Sequence, residues 1–227
     1  MKYISIDIET TGLDREACQI LSIGAVIEDT NNPLPIEDLP TFHCAIKRTG
    51  VHGELYALNM NKDLIEAIVH YQTAKTQDEK NDLVQMTGMQ FLDEDQVVDS
   101  LFQFCFDNGL VEFDPQSPAR IVNGKRYPML TSSMTKVYLT VAGKNFATFD
   151  KIFLERLPRW KQVFNIRQRI IDPSILFTQW ETDESLPSLL QCKQRAGIFG
   201  EVTHNAVEDA MDVIQILRTQ YTTPKNK

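Results

Sequence analysis

The 227-residue sequence predicts an α/β fold in which helices pack on a mixed β-sheet. Two observations support this prediction. Three apolar, β-rich segments open the chain with no helix between them, which is typical of antiparallel strands. A further apolar strand at 137–142 is preceded and followed by helical periodicity, which is typical of strands that join a sheet in parallel.

The three opening strands are predicted at 2–8, 19–28 and 41–47. The first alternates in character, and the second is the run Gln-Ile-Leu-Ser-Ile-Gly-Ala-Val-Ile-Glu. The links between the strands are short and rich in Asp, Asn, Pro or Gly, as in hairpins or a meander. We therefore expect the sheet to begin as an antiparallel unit.

The middle of the chain, 50–135, is predicted to be a helical insertion into the sheet fold. Apolar residues at helix spacing predict helices at 62–74 and 95–107. The polar stretch 75–95 is expected to be loop or exposed helix. Three prolines and a Thr-Ser-Ser run predict that 113–135 is mostly loop.

The sequence contains no composition break that would mark a linker, and 42% hydrophobic residues suffice for one core. We expect a single domain at 1–221, including the insertion, followed by a frayed tail at 222–227. The elements predicted after the strand at 137–142 are a helix at 147–157, a short edge strand at 170–172, and helices at 185–196 and 205–219.

The formal net charge of −8 argues against a protein that coats DNA non-specifically, but not against a nuclease whose carboxylates bind metal ions. The four cysteines form no C-x-x-C pair, which argues against a zinc ribbon and for free thiols in a reducing compartment. No apolar stretch is long enough for a membrane span or typical of a secretion signal. We expect a soluble, cytoplasmic protein with no membrane partner.

The first candidate site is the pair Asp7 and Glu9, two positions apart at the end of the first predicted strand. Side chains at this spacing share one face of a strand. Two carboxylates on one face raise each other's pKa unless a cation neutralises them, and hard oxygen ligands suit Mg²⁺ or Mn²⁺. The following Thr-Thr-Gly turn can offer backbone N–H groups to a phosphate. The alternative is a solvated strand end.

The second candidate site is the segment 143–150, directly after the strand at 137–142. Asp150 is expected in the first turn of a helix, where the helix dipole favours a carboxylate, so a purely capping role is an alternative. Asn145 similarly has an alternative interpretation as a turn residue.

The third candidate site is the pair His204 and Asp209. Asn205 and Glu208 have the spacing of a capping box, so a helix is predicted to begin here. That places His204 on the preceding loop and Asp209 at the end of the first turn, off the buried stripe but directed towards the sheet. A loop histidine of this kind is alternatively a plain surface residue.

Together these segments resemble the DEDDh family of 3′–5′ exonucleases, which includes polymerase proofreading subunits, ribonuclease T and oligoribonuclease. The first family motif, Asp-x-Glu-Thr-Thr-Gly, matches residues 7–12; the second, Asn-x-x-x-Phe-Asp, matches 145–150; the third, His-x-x-x-x-Asp, matches 204–209. The resemblance covers 1–30 and 137–219 well and 50–135 poorly, although 57–61 is similar to some bacterial and phage members.

The resemblance implies a ribonuclease H-like fold and a two-metal mechanism with Mg²⁺ or Mn²⁺. By analogy Asp7 bridges both ions, and Glu9 and Asp209 complete the shell of the ion that holds the attacking water. Asp150 would hold either a metal-bound water or the second ion. His204 would be the general base, a task suited to an imidazole with a pKa near neutrality. The products would be nucleoside 5′-monophosphates.

The resemblance also implies a pocket for the 3′-terminal nucleotide. The residues that match the family's pocket are Thr10, Thr11, Gly12, Leu13, Asn145 and Phe149. Core filling is an equally good interpretation of Leu13 and Phe149. Lys144 departs from the pattern, because many relatives carry histidine at that position.

The segment 156–169 holds five basic residues and no acidic one, with Trp160 and Phe164 among them. It could hold and stack a single strand, but we favour a solvated connection with buried aromatics. Asp172 is predicted to be a turn former. The remaining histidines match no motif and are expected to be structural or surface residues; they are His43, His52 and His70.

The leading hypothesis is thus an exonuclease that acts on single-stranded 3′ ends. One alternative is a catalytically inactive relative that binds nucleic acid or a polymerase; such proteins usually lose one of the five site positions. Another is an unrelated acidic α/β domain whose motifs are coincidence. The sequence does not distinguish DNA from RNA, and a DNA polymerase or a second copy of the chain are both open as partners.

Overall fold

The computed structural model describes residues 1–111, 119–122, 125–128 and 136–222. The three opening strands are confirmed as β1 (Lys2–Thr10), β2 (Ile20–Asp29) and β3 (Thr41–Ile46). They pair in antiparallel order, with Asp7 opposite Gly24 and Gly24 opposite His43. The β1–β2 register shifts between Glu9 and Thr10, so the strand is irregular at the point where its second acidic residue lies.

Two further strands complete the main sheet. The strand β4 (Gln90–Leu92) pairs in parallel with β3, within a stretch for which no strand was predicted. The predicted strand at 137–142 is divided into β7 (Val137–Leu139) and β8 (Val141–Ala142), and β8 pairs in parallel with β1. The sheet order β4-β3-β2-β1-β8 confirms the predicted mixed sheet.

The strand β7 pairs instead with β9 (Phe164–Ile166), so the segment 137–142 changes neighbours along its length. The predicted edge strand at 170–172 is reduced to one bridge between Ala142 and Ile171. Within the predicted loop 113–135, the strands β5 (Ala119–Val122) and β6 (Lys125–Pro128) pair in antiparallel fashion. The rest of that loop, and the tail from 223 onward, lie outside the described residues.

The helices predicted at 62–74, 95–107, 147–157, 185–196 and 205–219 are present, with shorter bounds in several cases. Two short helices, at 55–60 and 160–163, were not predicted. Their bounds are α1 (Leu55–Met60), α2 (Lys62–Thr73), α3 (Gln77–Thr87), α4 (Val97–Asp107), α5 (Asp150–Leu154), α6 (Trp160–Val163), α7 (Leu189–Arg195) and α8 (Ala206–Arg218). The polar stretch expected to be loop or exposed helix contains α3, whose capping box joins Thr76 and Glu79. No helix within the described ranges combines the length and the apolar character that a bilayer span requires.

Helices cover both faces of the main sheet. One face, which includes Ile4, Ile6 and Ile8 of β1, packs against α4, α5 and α6. The other face packs against α8, which begins directly on β2 at Gly24. The first turn of α8 lies on Gly24, and Gly24 pairs with Asp7 of β1. The last residues of β1 therefore lie close to the first turn of that helix.

Candidate active site

Asp7 and Glu9 both lie on β1 and face the helix α8. Asp7 is half-buried and Glu9 is buried. Their partners across the β1–β2 pair are Gly24 and Ser22, which are small. The absence of a large side chain opposite either carboxylate leaves room for groups that approach from α8.

Asp150 reaches the same place from the other side of β1. It is the first residue of α5, it is buried, and its Oδ1 accepts a hydrogen bond from the backbone N–H of Ile8 at 3.1 Å. Since Ile8 lies between Asp7 and Glu9 in the chain, this bond fixes the Asp150 carboxylate beside both. The residue is therefore more than a helix cap.

Helix α8 supplies Asp209 and the loop before it supplies His204. Asn205 caps the helix, accepting hydrogen bonds from the N–H groups of Val207 and Glu208 at 3.1 and 3.4 Å. The predicted capping box is only half correct, because the Glu208 carboxylate accepts a hydrogen bond from the Thr203 hydroxyl at 2.6 Å instead of from the cap. His204 is exposed and has a positive φ of 52°.

The side chains of Glu9, His204 and Asp209 converge. Each offers one possible metal-ligand atom, and these atoms lie within 4.8 Å of one another. Asp209 is buried, and its Oδ1 has no hydrogen-bond partner among the described residues. A buried carboxylate oxygen without a partner is costly, and a cation held by Glu9 and Asp209, beside the His204 ring, would satisfy it.

The electrostatics of the four carboxylates agree with a cation site. Burial, followed by the charges of Asp150, Asp209 and Glu9, raises the pKa of Asp7 well above its usual range. Burial and the charge of Asp209 raise the pKa of Glu9 to about 8. Burial raises the pKa values of Asp150 and Asp209 to about 7 each. Four acids that resist ionisation together are a good fit to divalent cations, which would neutralise them.

Asn61 is a site residue that the sequence did not predict. It is buried at the junction of α1 and α2, and its amide donates a hydrogen bond to the carbonyl of Thr10 at 3.2 Å. Hydrogen bonding from the same side chain to Glu9 partly opposes the rise in the pKa of that carboxyl. The only sequence signal was the similarity of 57–61 to some bacterial and phage members of the family. That similarity did not predict which residues Asn61 would contact.

The turn after β1 is less open than the expectation for 10–12, because the N–H of Thr11 donates to the Gln19 carbonyl at 2.9 Å. The N–H groups of Leu13 and Asp14 donate to Oε1 of Glu54 at 3.0 and 3.4 Å. The buried Thr11 accepts a hydrogen bond from the Gln19 N–H, and the Thr10 hydroxyl donates to the Gly12 carbonyl. A carboxylate from the insertion thus occupies this turn.

The two hydrophobic residues of the predicted nucleotide pocket differ in burial. Leu13 is 75% exposed, which excludes core filling for that side chain. Phe149 is partly buried and packs on the core, with its ring centroid 5.1 Å from that of Phe153. Asn145 has a φ of 61°, and its N–H donates to Asp172, which also caps the following turn as predicted.

A cavity of about 330 Å³ opens beside the converging residues. Its walls include Glu9 and His204 at one end, Asn61 and Leu64 from the insertion, and Ser22 and His43 from the sheet. Burial lowers the pKa of His43 to about 4, so this ring is neutral near pH 7. His52 and His70 are exposed, as expected.

The segment 156–169 does not offer stacking aromatics. Trp160 and Phe164 are 1% and 3% exposed and pack on each other in the core. This confirms the favoured interpretation of the segment as a connection with buried aromatics. Arg159 forms an ion pair with Asp99 at 2.7 Å. All four cysteines are buried free thiols, as predicted.

Comparison with known proteins finds solved structures of similar fold, all at low sequence identity. No family model matches the sequence, and no curated protein does. Among solved structures, cell-death related nuclease 4 matches with a TM-score of 0.53 at 12% identity, covering 96% of this chain and 62% of that one. Exonuclease I of E. coli in complex with an oligonucleotide matches with a TM-score of 0.53 at 13% identity, covering 98% and 41%. Exonuclease I from Methylocaldum szegediense matches with a TM-score of 0.52 at 14% identity, covering 99% and 41%.

These likenesses define the class of fold. The chain has the DnaQ-like exonuclease fold, and the predicted ribonuclease H-like mixed sheet flanked by helices is confirmed. It spans 62% of the length of cell-death related nuclease 4 and 41% of the two exonuclease I chains.

Proposed function

We propose that this chain is a metal-dependent 3′–5′ exonuclease that hydrolyses phosphodiester bonds at the 3′ ends of single-stranded DNA or RNA. The observation that carries the proposal is the convergence of Glu9, His204 and Asp209 within 4.8 Å, beside Asp7 and Asp150. Those five residues come from three motifs that are far apart in sequence. Chance convergence of all of them in a DnaQ-like fold is a poor explanation.

In this proposal the metal ligands are Asp7, Glu9, Asp150 and Asp209, and the ions are two Mg²⁺ or Mn²⁺. The unpartnered Oδ1 of Asp209 and the raised pKa values of the carboxyls suit divalent cations. The chemistry that such ions supply is neutralisation of the charge that develops on the scissile phosphate and the leaving 3′ oxygen.

His204 acts as the general base and takes the proton of the attacking water. Its exposed position on a loop lets the ring pass that proton on to solvent. Nearby carboxylates stabilise the imidazolium that forms. Attack at the phosphorus of the last linkage breaks its bond to the 3′ oxygen of the preceding nucleotide. That oxygen takes a proton from solvent, and a nucleoside 5′-monophosphate is released.

The 3′-terminal nucleotide would bind at the turn after β1. Thr10, Thr11 and Gly12 shape this turn, and the exposed side chain of Leu13 is available to pack on a base. Asn145 and Phe149 would line the opposite wall. An oligonucleotide in the E. coli exonuclease I structure supports a single strand as the substrate.

We further propose that 1–221 is one exonuclease domain that includes the insertion at 50–135. The contact of Glu54 with the turn at Leu13 and that of Asn61 with Thr10 support a single unit. Buried free thiols support a reducing compartment such as the cytoplasm.

The test is degradation of end-labelled single-stranded DNA and RNA with Mg²⁺, with and without EDTA. We expect shortening from the 3′ end, release of nucleoside 5′-monophosphates, and loss of activity in EDTA. Asp7→Ala is the test variant, and Asp14→Ala is its matched control, because Asp14 is an exposed acid on the turn after β1. Undiminished nuclease activity in Asp7→Ala would refute the proposal.

A further inference from the structure

A buried lysine lies behind the candidate site. Lys193 of α7 is 5% exposed, and its Nζ donates two hydrogen bonds. One goes to Oδ2 of Asp212 at 2.5 Å, and the other goes to the backbone carbonyl of Glu201 at 3.1 Å. Neither partner belongs to a motif of the resemblance, and the lysine lies well outside all three.

The two partners of Lys193 connect it to two separate parts of the site. Asp212 lies on α8, one turn after Asp209, and its side chain is on the same side of the helix. Glu201 lies in the loop that runs from α7 to α8, shortly before His204. A single ammonium group therefore joins the loop that carries the imidazole to the helix that carries the buried carboxylate.

The loop needs such an anchor because its backbone conformation is unfavourable. His204 has a φ of 52°, in the left-handed region that residues other than glycine rarely adopt. Conformations of this kind persist where surrounding contacts enforce them. On the helix side the contact is the Thr203–Glu208 hydrogen bond at 2.6 Å, and on the α7 side it is the bond from Lys193 to the Glu201 carbonyl.

A contribution to stability is a weak explanation for a buried ion pair of this kind. Replacing a buried ion pair by apolar residues of similar volume is often neutral or stabilising, because removing two charges from water is costly. Lys193 also donates a hydrogen bond to the Glu201 carbonyl, in the loop next to the site, and can therefore have a second role. That role is to fix the backbone from which the His204 ring projects.

We propose that Lys193 is a positioning residue that holds the His204 loop in its productive conformation. The inference rests on the proposed function, since it assigns the lysine an effect that is exerted through the general base. The charges of Lys193 and Asp212 act on Asp209 in opposite directions. Removal of the pair as a whole therefore affects the rate of the chemical step and leaves strand affinity and metal affinity intact.

The main test variant is the double substitution Lys193→Met with Asp212→Leu, which leaves no unpaired buried charge. We expect kcat to fall by about 10- to 100-fold, in the range of a misplaced catalytic group. The KM for a single strand and the affinity for Mn²⁺, measured calorimetrically, should stay within about twofold of wild type. The matched control is the double substitution Lys47→Met with Asp93→Leu, which removes the Lys–Asp ion pair between the residues that follow β3 and β4 and should retain nearly full activity.

Two readouts separate positioning from a merely structural role. Hydrogen–deuterium exchange should accelerate at 196–204 in the double variant, and not in β1. In a His204→Ala background the same double substitution should cause no further loss of kcat, because the two changes act through one group. A full additional loss in that background, or wild-type kcat in the double variant, would overturn the inference. Lack of nuclease activity in the wild type would refute the proposed function itself.

Discussion

A β-carbon on Gly24 would lie 2.1 Å from the carbonyl carbon of Ala206, which is far inside contact distance. The first turn of α8 therefore rests directly on the backbone of β2, opposite Asp7. This close approach brings Asp209 to the end of β1. The absence of a side chain at Gly24 thus determines how close Asp209 of α8 comes to the carboxylates of β1.

Gly24→Ala is expected to push α8 away from the sheet. We expect the free energy of unfolding to fall by about 1–3 kcal/mol, as for other overpacked sites. Exonuclease activity should fall by about 10²-fold, because small misplacements of catalytic groups are costly. Urea unfolding and initial rates would measure both. Gly50→Ala is the control, since a β-carbon there meets nothing within 4 Å. Equal, small effects of the two substitutions would contradict this account.

Asn61→Ala is expected to weaken metal binding. The change removes a donor to Glu9 and Thr10, so the pKa of Glu9 rises further and an ion must displace its proton. We expect the Mg²⁺ concentration for half-maximal rate to rise by roughly tenfold, the equivalent of about 1.4 kcal/mol. Asn59→Ala is the control, because Asn59 is exposed on the same short helix. An unchanged Mg²⁺ requirement in the Asn61 variant would exclude this contact as a determinant.

The metal-free protein is expected to lose stability as pH rises. The folded-state pKa values of Glu9, Asp150 and Asp209 are raised to about 8, 7 and 7. In the unfolded chain they return to about 4, so the folded state binds more protons between pH 4 and 8. Stability contributed by the protonated groups is present at the acidic end of that window and is lost towards pH 8.

Thermal unfolding with EDTA and with Mg²⁺ would test this pH dependence. The midpoint in EDTA should fall from pH 5.5 to pH 8, while the increase produced by saturating Mg²⁺ should be larger at pH 8. The reason is that ion binding needs the ionised carboxylates. The Asp7→Asn variant should show a smaller response to Mg²⁺. A midpoint in EDTA that rises over the same range would rule out protonation of the cluster.

Glu54→Ala is expected to improve the binding of a strand. The substitution frees the N–H groups of Leu13 and Asp14 and removes a negative charge from the rim of the site. We expect the KM for single-stranded substrate to fall by about two- to fivefold, corresponding to roughly 0.4–1 kcal/mol. Initial rates at low salt would show it best. Glu16→Ala, which removes an exposed acid nearby, should leave KM unchanged. A KM that rises instead would mean that Glu54 assists binding.

The sequence predicted the sheet and the three motif segments because both depend on local patterns. Alternation and turn residues mark β1 to β3, and the helix that carries Asp209 has a clear apolar stripe. By contrast, β4 has only three residues and lies in a polar stretch. It forms because β3 provides a partner and because Phe91 stacks on Tyr71, at 4.2 Å between ring centroids.

The contacts of Glu54, Asn61 and Lys193 were not predictable from the sequence. Each joins residues that are distant in the chain, so no spacing rule applies to them. Trp160 and Phe164 show the converse difficulty. Their basic neighbours are compatible with either a strand-binding surface or a covered core, and only the packing of α6 and β9 decides between them.

The division of the site between distant segments of the chain has a consequence during synthesis. His204 and Asp209 are translated long after Asp7 and Glu9. A nascent chain can pair β1 with β2, but it lacks the fourth carboxylate and the imidazole until α8 has been made. Under the proposed function, hydrolysis therefore becomes possible only in one late step, when α8 joins the sheet.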